Sequence, residues 1–309
     1  MSGALNTPAR KTNGKYVVRT DATIGLWMTP LRSFYEWADS GGLLKSDIAA
    51  KITQVKYFAP GTPAGGEHGA RRRVIAEDLR PTTSVKPRHP EWIDSASARQ
   101  RLETIPLHKR DRFLIDLMYY TGIRAGEALS LFTGDLHFGG GSRTLNCNKV
   151  DPHFHVRGDN KTENGARAKG RPRLLFVNER LIEGYIDYLL ERNAVLGNGD
   201  KSAHVFVNLY SAGNAQGRAM SYSGVKKLTR RCGDKIGFAL SGPHILRHTL
   251  ATRLVRGVDC TAQPLDVVQE ILGHASINST RVYTHGQEEA SKAAMESLAT
   301  RTVILGENS

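Results

Sequence analysis

Residue types suited to phosphate chemistry are concentrated between positions 244 and 285. His244 and Arg247 are three residues apart, so a helix would place both on one face near its N-terminal end. That end favours anions, because its free N–H groups and its dipole point outward. His274 and Tyr283 follow, nine residues apart. Fixed cations beside one tyrosine suit phosphoryl transfer to the phenol oxygen, because the cations stabilise charge on phosphate and the tyrosine is a covalent nucleophile.

Each of these residues also has an ordinary structural interpretation. His244 could cap or pack against a helix, and Arg247 could form a structural ion pair. His274 could donate to carbonyl groups at a helix end, and Tyr283 could be a half-buried aromatic residue, the usual state of tyrosine. The joint spacing of the four residues favours the catalytic interpretation; no single one of them does.

Hydrophobic periodicity predicts the elements that would position these residues. Helices are expected over residues 109–121, 127–131, 180–196, 223–233, 244–256 and 265–272, with a short helix after Ser95. Strands are expected over residues 144–147, 153–156, 173–177 and 204–208. The predicted fold class is therefore mainly α with a small antiparallel β-sheet.

The N-terminal part of the chain has a different pattern. Apolar residues in 23–39 recur at helical spacing, and Pro30 suggests that the helix begins there, since proline is tolerated in a first turn. Residues 46–55 fit a further short helix. Residues 58–90 contain five prolines and show weak periodicity, so they are interpreted as a linker or as irregular structure along a partner.

The chain carries a large excess of positive charge. Its 309 residues include 43 Lys and Arg against 30 Asp and Glu, a formal net charge of +13. Basic surfaces bind polyanions because neutralised phosphates release counterions; a solvated basic surface is the alternative interpretation. The side chains expected to contact a DNA backbone are Arg71, Arg72, Arg73, Lys226, Lys227, Arg230 and Arg231.

Several classes of protein are disfavoured. No apolar run approaches the roughly 18 residues of a membrane span, and residues 1–16 lack the apolar core of a signal peptide. Three widely spaced cysteines argue against a disulfide framework and fit a reducing cytoplasm. The sequence has no GxxxxGK[ST] loop and no acidic metal cluster, so neither ATP nor a metal or other cofactor is expected.

Three further histidines receive structural interpretations. His153 and His155 alternate on a predicted strand and are interpreted as exposed strand residues, not as metal ligands. His244 and His248 have helical spacing but lack the glutamate of a zinc-protease helix. His248 is therefore expected to pack or hydrogen-bond behind Arg247.

Two segments carry a resemblance to a known family. The segments GPHILRHTLATRLVRG and LDVVQEILGHASINSTRVYTH closely resemble the C-terminal box of the tyrosine recombinases, the phage-integrase family. Upstream, YYTGIRAGEALSL resembles the second box of that family, and NGARAKGRPRLLFV resembles its lysine-bearing β-hairpin. The resemblance covers about residues 90–290 and is closest to integrases of transposons and other mobile elements.

The resemblance implies a site-specific recombinase or integrase that cuts and rejoins DNA. Tyr283 would attack the scissile phosphodiester, forming a 3′-phosphotyrosyl link and releasing a 5′-hydroxyl. Arg124 and Arg247 would hold the non-bridging oxygens, because a guanidinium matches phosphate bidentately. Bond energy is conserved in the phosphotyrosine ester, so the reaction would need neither ATP nor metal.

The resemblance also assigns the remaining site residues. Lys169 would protonate the leaving 5′-oxygen, and His244 would assist proton movement at the nucleophile. His274 would hydrogen-bond the phosphate, and Glu127 would orient Arg124. Lys161 lies in the same predicted hairpin, so the choice between Lys161 and Lys169 stays open, with Lys169 favoured because Arg173 and an apolar strand follow it.

The family usually begins with a clamp of about four helices that holds DNA opposite the catalytic domain. Here the segment LWMTPLRSFYEWADSGGLLKSD resembles only its last helix and exit. A truncated core-binding domain over 1–57, a linker over 58–90 and a catalytic domain with tail over 91–309 are therefore expected. Weaker DNA affinity than that of a full-length relative is also expected. Residues 286–309 would be a tail that packs on a neighbouring subunit, or a terminal helix on their own core.

The partners implied by the resemblance are double-stranded DNA and three further copies of the chain, as a homo-tetramer on paired sites, in the cytoplasm at the bacterial nucleoid. One alternative is an inactive or accessory DNA-binding relic of a mobile-element integrase. A type IB topoisomerase shares the chemistry, and a metal-dependent nuclease is disfavoured by the absence of ligand motifs.

Overall fold

The computed structural model divides the chain into two units, residues 1–88 and residues 89–309. The structure describes residues 11–12, 15–16, 21–43, 48–62, 64, 66–76, 90–140, 145–168, 171–210, 213–274, 278–281 and 283. Helices account for most of the described secondary structure, and every described strand pair is antiparallel. The predicted fold class, mainly α with small antiparallel sheets, is therefore confirmed.

The N-terminal unit consists of two helices and two hairpins. Its elements are β1 (Lys11–Thr12), β2 (Lys15–Tyr16), α1 (Asp21–Ser40), α2 (Ile48–Ile52), β3 (Thr53–Phe58) and β4 (Ala70–Ile75). Strand β1 pairs with β2, and β3 pairs with β4.

Helix α1 does not begin at Pro30, as predicted; it begins at Asp21 and continues through the proline. A 20-residue helix can lose the one hydrogen bond that proline removes and still be held by its other contacts. Met28 and Ala38 are buried, whereas Trp27, Phe34 and Trp37 are exposed. The helix ends before Gly41, in agreement with the sequence.

The segment predicted to be a linker contains a strand instead. Ala70–Ile75 (β4) pairs along its whole length with β3, in a register that places Val55 opposite Arg73 and Tyr57 opposite Arg71. Strand β3 also occupies the last three residues of the short helix predicted over 46–55, of which α2 forms residues 48–52. Arg71, Arg72 and Arg73 are exposed on β4, as a DNA contact would require. Residues 77–89 lie outside the described residues.

The C-terminal unit is built from helices whose bounds agree closely with the sequence periodicity. Its helices are α3 (Ala96–Thr104), α4 (Lys109–Thr121), α5 (Ala125–Ala128), α6 (Glu179–Leu196), α7 (Tyr222–Ile236), α8 (His244–Arg256), α9 (Leu265–Leu272) and α10 (Asn278–Arg281). Left-handed glycines at Gly122 and Gly273 end α4 and α9, because glycine reaches positive φ without a side-chain clash. In the described part of the chain, no helix combines the length and apolarity of a membrane span.

Helix α4 lies at the centre of the core. Nine of its thirteen residues are buried, and it packs against α6 and α8. Phe113 of α4 stacks with Tyr188 of α6 and with Phe206, with ring centroids 6.2 and 5.5 Å apart. A second apolar cluster joins α8 to α9 and includes Tyr283. The predicted nucleophile is therefore held by the same packing that joins these two helices.

A three-stranded antiparallel sheet flanks the helices. Its strands are β5 (Leu136–His137), β6 (His153–Val156) and β7 (Arg173–Phe176), in that order. The last two strands were predicted, but residues 145–147 do not form a strand, and 141–144 lie outside the described residues. Residues 204–208 do not form the predicted strand. His204 pairs only with Phe132 and Val207 only with Ala219, so each pair is an isolated bridge.

The interpretation of His153 and His155 as exposed strand residues is wrong. His153 is fully buried and His155 is half-buried. Both face His137 across the β5–β6 pair, and Cys147 covers His153 from the connecting segment. Alternation along β6 predicts a shared face for the two histidines, but only the tertiary structure shows that this face is covered.

Candidate active site

Arg124 is positioned by the start of α5. It is the residue that precedes the helix, and Glu127 in the first turn accepts hydrogen bonds from its backbone N–H at 3.0 Å and from its Nη1 at 2.7 Å. Glu127 is buried, whereas the Arg124 side chain is partly open to solvent. The carboxylate therefore holds the guanidinium in one orientation and leaves its outer nitrogens available for an anion.

Glu127 also binds a second arginine, which the sequence analysis did not assign to the site. Arg173 on β7 donates Nη1 and Nη2 to the two carboxylate oxygens at 3.2 and 2.8 Å, and its Nε donates to the Ile271 carbonyl at 3.0 Å. Burial alone would raise the pKa of Glu127, but the hydrogen bonds and charges of Arg173 and Arg124 lower it overall. Glu127 is therefore ionised at neutral pH and joins α5 to the sheet.

Arg247 joins the ends of two other helices. From α8 it donates Nη1 to the Gly122 carbonyl at 2.7 Å and Nη2 to the Leu272 carbonyl at 2.6 Å, where α4 and α9 end. Terminal carbonyls of helices lack partners within the helix and favour cations. Arg247 is 3% exposed, and among the described residues no carboxylate lies within 4 Å of its guanidinium. Burial lowers its pKa, as does the nearby charge of Arg124.

His244 is the first residue of α8, after Gly242 and Pro243, as the sequence predicts. Its exposed side chain lines an open pocket together with Arg124, Asn164, Ala166, Arg167 and Tyr222. Partial loss of solvation lowers the pKa of His244, and the charges of Arg247 and Arg124 lower it further. The ring is therefore neutral at pH 7 when no anion is bound.

Tyr283 lies at the edge of this arrangement with its ring buried and 3% exposed. Its hydroxyl forms a hydrogen bond of 2.8 Å with Nδ1 of His248. Burial raises the pKa of Tyr283, while the charges of Arg247 and Arg124 act in the opposite direction. The phenol is therefore protonated at neutral pH but already lies within the field of both arginines. His248 was expected near Arg247 only, so its contact with Tyr283, the predicted nucleophile, is new.

His274 follows the glycine that ends α9, as predicted. Its ring lies parallel to that of Tyr283, with centroids 6.4 Å apart, and its Nδ1 is 3.0 Å from Oγ1 of the buried Thr280. Burial lowers its pKa to about 4, with further contributions from Arg247, Arg124 and Arg173. Thr280 orients the imidazole, and Nε2 has no hydrogen-bond partner among the residues that the structure describes.

The remaining predicted residues are either exposed or outside the described part of the chain. Lys169 and the tail at 286–309 lie outside the described residues. Lys161 is exposed. On α7 the basic side chains are exposed, and one of them also pairs with Asp111 at 3.4 Å: Lys226, Lys227, Arg230 and Arg231.

Arg173, His248 and Thr280 were the site residues that sequence reasoning missed. Arg173 stands at the start of a predicted strand and His248 lies one helical turn after His244, but neither position indicates a contact with Glu127 or Tyr283. Each acts through a partner distant in sequence, 46 residues away for Arg173 and 35 for His248. The sequence alone therefore does not indicate which residues form such pairs.

Comparison with known proteins identifies the class that this fold and site define. The model of the phage integrase family matches residues 94–290. Tyrosine recombinase XerD of Lacticaseibacillus casei is 29% identical over 270 residues, which are 86% of this chain and 73% of that protein. XerA of Pyrococcus furiosus is 29% identical over 209 residues, which are 67% of this chain and 61% of that protein. The chain therefore belongs to the phage integrase family and is a tyrosine recombinase.

Solved structures agree with this assignment. XerH site-specific recombinase in a post-cleavage complex with its difH substrate is 25% identical with a TM-score of 0.50, covering 69% of this chain and 54% of XerH. The Tn1549 transposon integrase, bound to circular intermediate DNA, is 20% identical with a TM-score of 0.52, covering 72% of this chain and 70% of that chain, and shares the fold. The chain thus spans little more than half of XerH.

Replacing Glu127 by Gln should destabilise the C-terminal unit by about 3–5 kcal/mol, because it leaves two arginines beside an uncharged amide in a buried setting. The matched control is Asp187→Asn, which removes an exposed carboxylate paired with Lys109 and should cost at most about 1 kcal/mol. Urea unfolding of both variants measures the difference. Equal losses would show that the buried Glu127 pair does not support the fold.

Acid should weaken the fold through two site histidines. Burial is the largest cause that lowers the pKa of His248 and of His274 from 6.5 to about 4. The unfolded chain then binds more protons than the folded chain between these values, so the stabilisation is complete above pH 6.5 and is lost as pH falls towards 4. We expect a loss of about 2 kcal/mol per histidine between pH 7 and pH 5 in urea unfolding. A His248→Asn, His274→Asn double variant should lose clearly less over that interval; an unchanged pH dependence would contradict the assignment.

Proposed function

We propose that this tyrosine recombinase cuts and rejoins double-stranded DNA at specific sites through a 3′-phosphotyrosyl intermediate, with no metal or ATP in the chemical step. One observation carries the proposal. Arg247 is a buried guanidinium with no carboxylate partner among the described residues, and its charge and that of Arg124 act on the phenol of Tyr283. The carbonyls at two helix ends hold this cation but do not neutralise it, so a bound anion is favoured there. A phosphodiester is an anion of the required geometry.

The reaction exchanges one phosphate ester for another. The Tyr283 oxygen bonds to phosphorus, the bond from phosphorus to the 5′-oxygen breaks, and Lys169 delivers a proton to that oxygen. In the free protein His248 holds the Tyr283 hydroxyl, and His244 at the pocket edge takes part in moving the phenol proton. Arg124, Arg247 and His274 stabilise the charge on the non-bridging oxygens. Attack by the 5′-hydroxyl of another strand reverses these steps and rejoins the DNA.

The proposed substrate is duplex DNA, and two basic surfaces fit its backbone. They are the exposed face of α7 with Lys226, Lys227 and Arg230, and the row of Arg71, Arg72 and Arg73 on β4. Phosphate contacts of this kind position a protein on DNA without reading its sequence. Strand exchange between two duplexes requires four nucleophiles, so we propose a homo-tetramer on paired sites.

The covalent step can be tested without knowing the target sequence. A library of nicked duplexes with randomised cores should trap the wild-type chain as a protein–DNA adduct, because the nick lets the fragment with the 5′-hydroxyl diffuse away. Tyr283→Phe should reduce the adduct at least about 10³-fold, since it removes the nucleophile. Tyr210→Phe, at an exposed tyrosine of the same unit, is the control and should leave the yield unchanged.

The outcomes of this assay separate the alternatives. DNA binding without adduct would identify a relic that retains only its affinity. Adducts on every sequence, with relaxation of supercoiled plasmid, would identify a topoisomerase. Cleavage that survives Tyr283→Phe and stops with EDTA would identify a metal-dependent nuclease.

The choice between Lys169 and Lys161 can be decided by changing the leaving group. Lys169→Ala should slow adduct formation by about 10²–10⁴-fold on ordinary DNA, because the 5′-oxygen then leaves without a proton. A substrate with sulfur in place of that oxygen should restore the rate, because a thiolate leaves more readily than an alkoxide. Lys161→Ala is the matched control, and we expect it to react normally with both substrates. The reverse result would assign the role to Lys161.

A further inference from the structure

Three histidines and one cysteine converge on one face of the sheet and have no role in the proposed reaction. They form the histidine–cysteine cluster: His137, Cys147, His153 and His155. One ligand atom from each residue lies within 4.8 Å of all the others. His153 and His137 are buried, whereas Cys147 and His155 are partly open to solvent. A cluster of this composition has the donor atoms of a transition-metal site.

The sheet itself brings the four residues together. His137 on β5 and His153 on β6 are direct partners in the antiparallel register. His155 is two residues further along β6, on the same face of the strand. Cys147 comes from the segment that joins the two strands and returns to cover His153. The donors therefore come from two paired strands and their connection, which is a preorganised arrangement.

Three short distances within the cluster share one atom, the Nε2 nitrogen of His153. His153 Nε2 lies 3.1 Å from His137 Nδ1, 3.2 Å from Cys147 Sγ and 3.2 Å from His155 Nε2. Tetrahedral Zn²⁺ sites, with ligands at about 2.0–2.3 Å, separate neighbouring nitrogens by about 3.3 Å and nitrogen from sulfur by about 3.6 Å. The three distances to His153 Nε2 need only a few tenths of an ångström of expansion to admit the ion, and the wider separations in the cluster, up to 4.8 Å, would contract as the side chains turn towards it.

The ring nitrogens of His137 and His153 that face away from the centre of the cluster also fit a metal site. His137 Nε2 lies 3.2 Å from the Gly134 carbonyl, and His153 Nδ1 lies 2.6 Å from the Asp151 carbonyl. Carbonyl oxygens only accept hydrogen bonds, so both outer nitrogens carry a proton. In rings with one proton each, the inner nitrogens present lone pairs to each other at 3.1 Å. Metal-binding histidines use this same outer hydrogen bond to fix their tautomer and orientation.

Hydrogen bonding alone does not account for the arrangement. The single lone pair of His153 Nε2 faces three neighbours, and it can accept a proton from only one of them. A cation at the centre would instead receive one lone pair from each of the four atoms. The alternative is a proton shared between His137 and His153, which would leave Cys147 and His155 without a matched partner at this nitrogen.

We infer that His137, Cys147, His153 and His155 bind one Zn²⁺ ion. A thiolate and three imidazoles without an oxygen ligand favour zinc over magnesium or calcium. Binding breaks the S–H bond of Cys147 and releases its proton to solvent, so one proton leaves for each ion bound. Four protein ligands leave no open position for water, so the ion is structural. It fixes the β5–β6 connection to the sheet and takes no part in the phosphoryl transfer proposed above.

Zinc affinity of the full chain tests the inference. Chelator-treated protein should take up one equivalent of Zn²⁺, measured by elemental analysis after gel filtration and by competition with a chromogenic chelator. Cys147→Ser should weaken binding at least 100-fold. Cys260→Ser, at an exposed cysteine outside the cluster, is the matched control and should bind as the wild type does. Uptake of less than one fifth of an equivalent by the folded wild-type chain would overturn the inference.

A second measurement guards against misfolding of the variant. Wild-type protein with Co²⁺ in place of Zn²⁺ should show the intense visible bands of a tetrahedral centre and a thiolate-to-cobalt charge-transfer band. The weak spectrum of a six-coordinate ion would overturn the assignment. The Tyr283→Phe protein should bind zinc normally, so failure of the metal site and failure of the proposed recombination are distinguishable.

Discussion

The arrangement of the site depends on one buried guanidinium. Arg247 satisfies the terminal carbonyls of two helices, at Gly122 and at Leu272, and so fixes where α4 and α9 end relative to α8. The positive charge is stabilised by the negative ends of two helix dipoles and by no carboxylate within 4 Å in the described part of the chain. The same interaction that closes the core therefore prepares a binding position for an anion.

Glu127 plays the complementary part for the second arginine. Because one buried carboxylate binds both Arg124 and Arg173, it joins α5 to β7 and orients the more exposed guanidinium. Positive charges gathered in one place repel each other and favour bound anions. Burial is the main cause that lowers the pKa values of His244, His248 and His274, and the same repulsion lowers them further. A bound phosphate would reduce this repulsion between the positive charges.

The histidine–cysteine cluster lies on the same three-stranded sheet that carries Arg173, but its proposed role is different. Strand β7 contributes Arg173 to the proposed phosphate site, while β5 and β6 contribute His137, His153 and His155 to the proposed zinc site. An ion there would stiffen β5 and β6, and β6 pairs with the strand that carries Arg173. Stability and chemistry would then be supplied by separate sets of residues on one small sheet.

The sequence by itself determined the helices of the C-terminal unit, since apolar periodicity and terminal glycines are local signals; the bounds of α4, α8 and α9 were predicted to the residue. It also singled out the spacing of His244, Arg247, His274 and Tyr283 and, through the resemblance, Arg124. Contacts between distant residues were decided by the tertiary structure alone. Strand β4 inside the presumed linker, the link from Glu127 to Arg173, the hydrogen bond from His248 to Tyr283 and the burial of His153 all depend on partners brought together by folding. Hydrophobic periodicity and secondary-structure propensity depend on neighbours within a few residues along the chain. The energy of a contact between distant residues depends instead on which side chains folding places opposite each other.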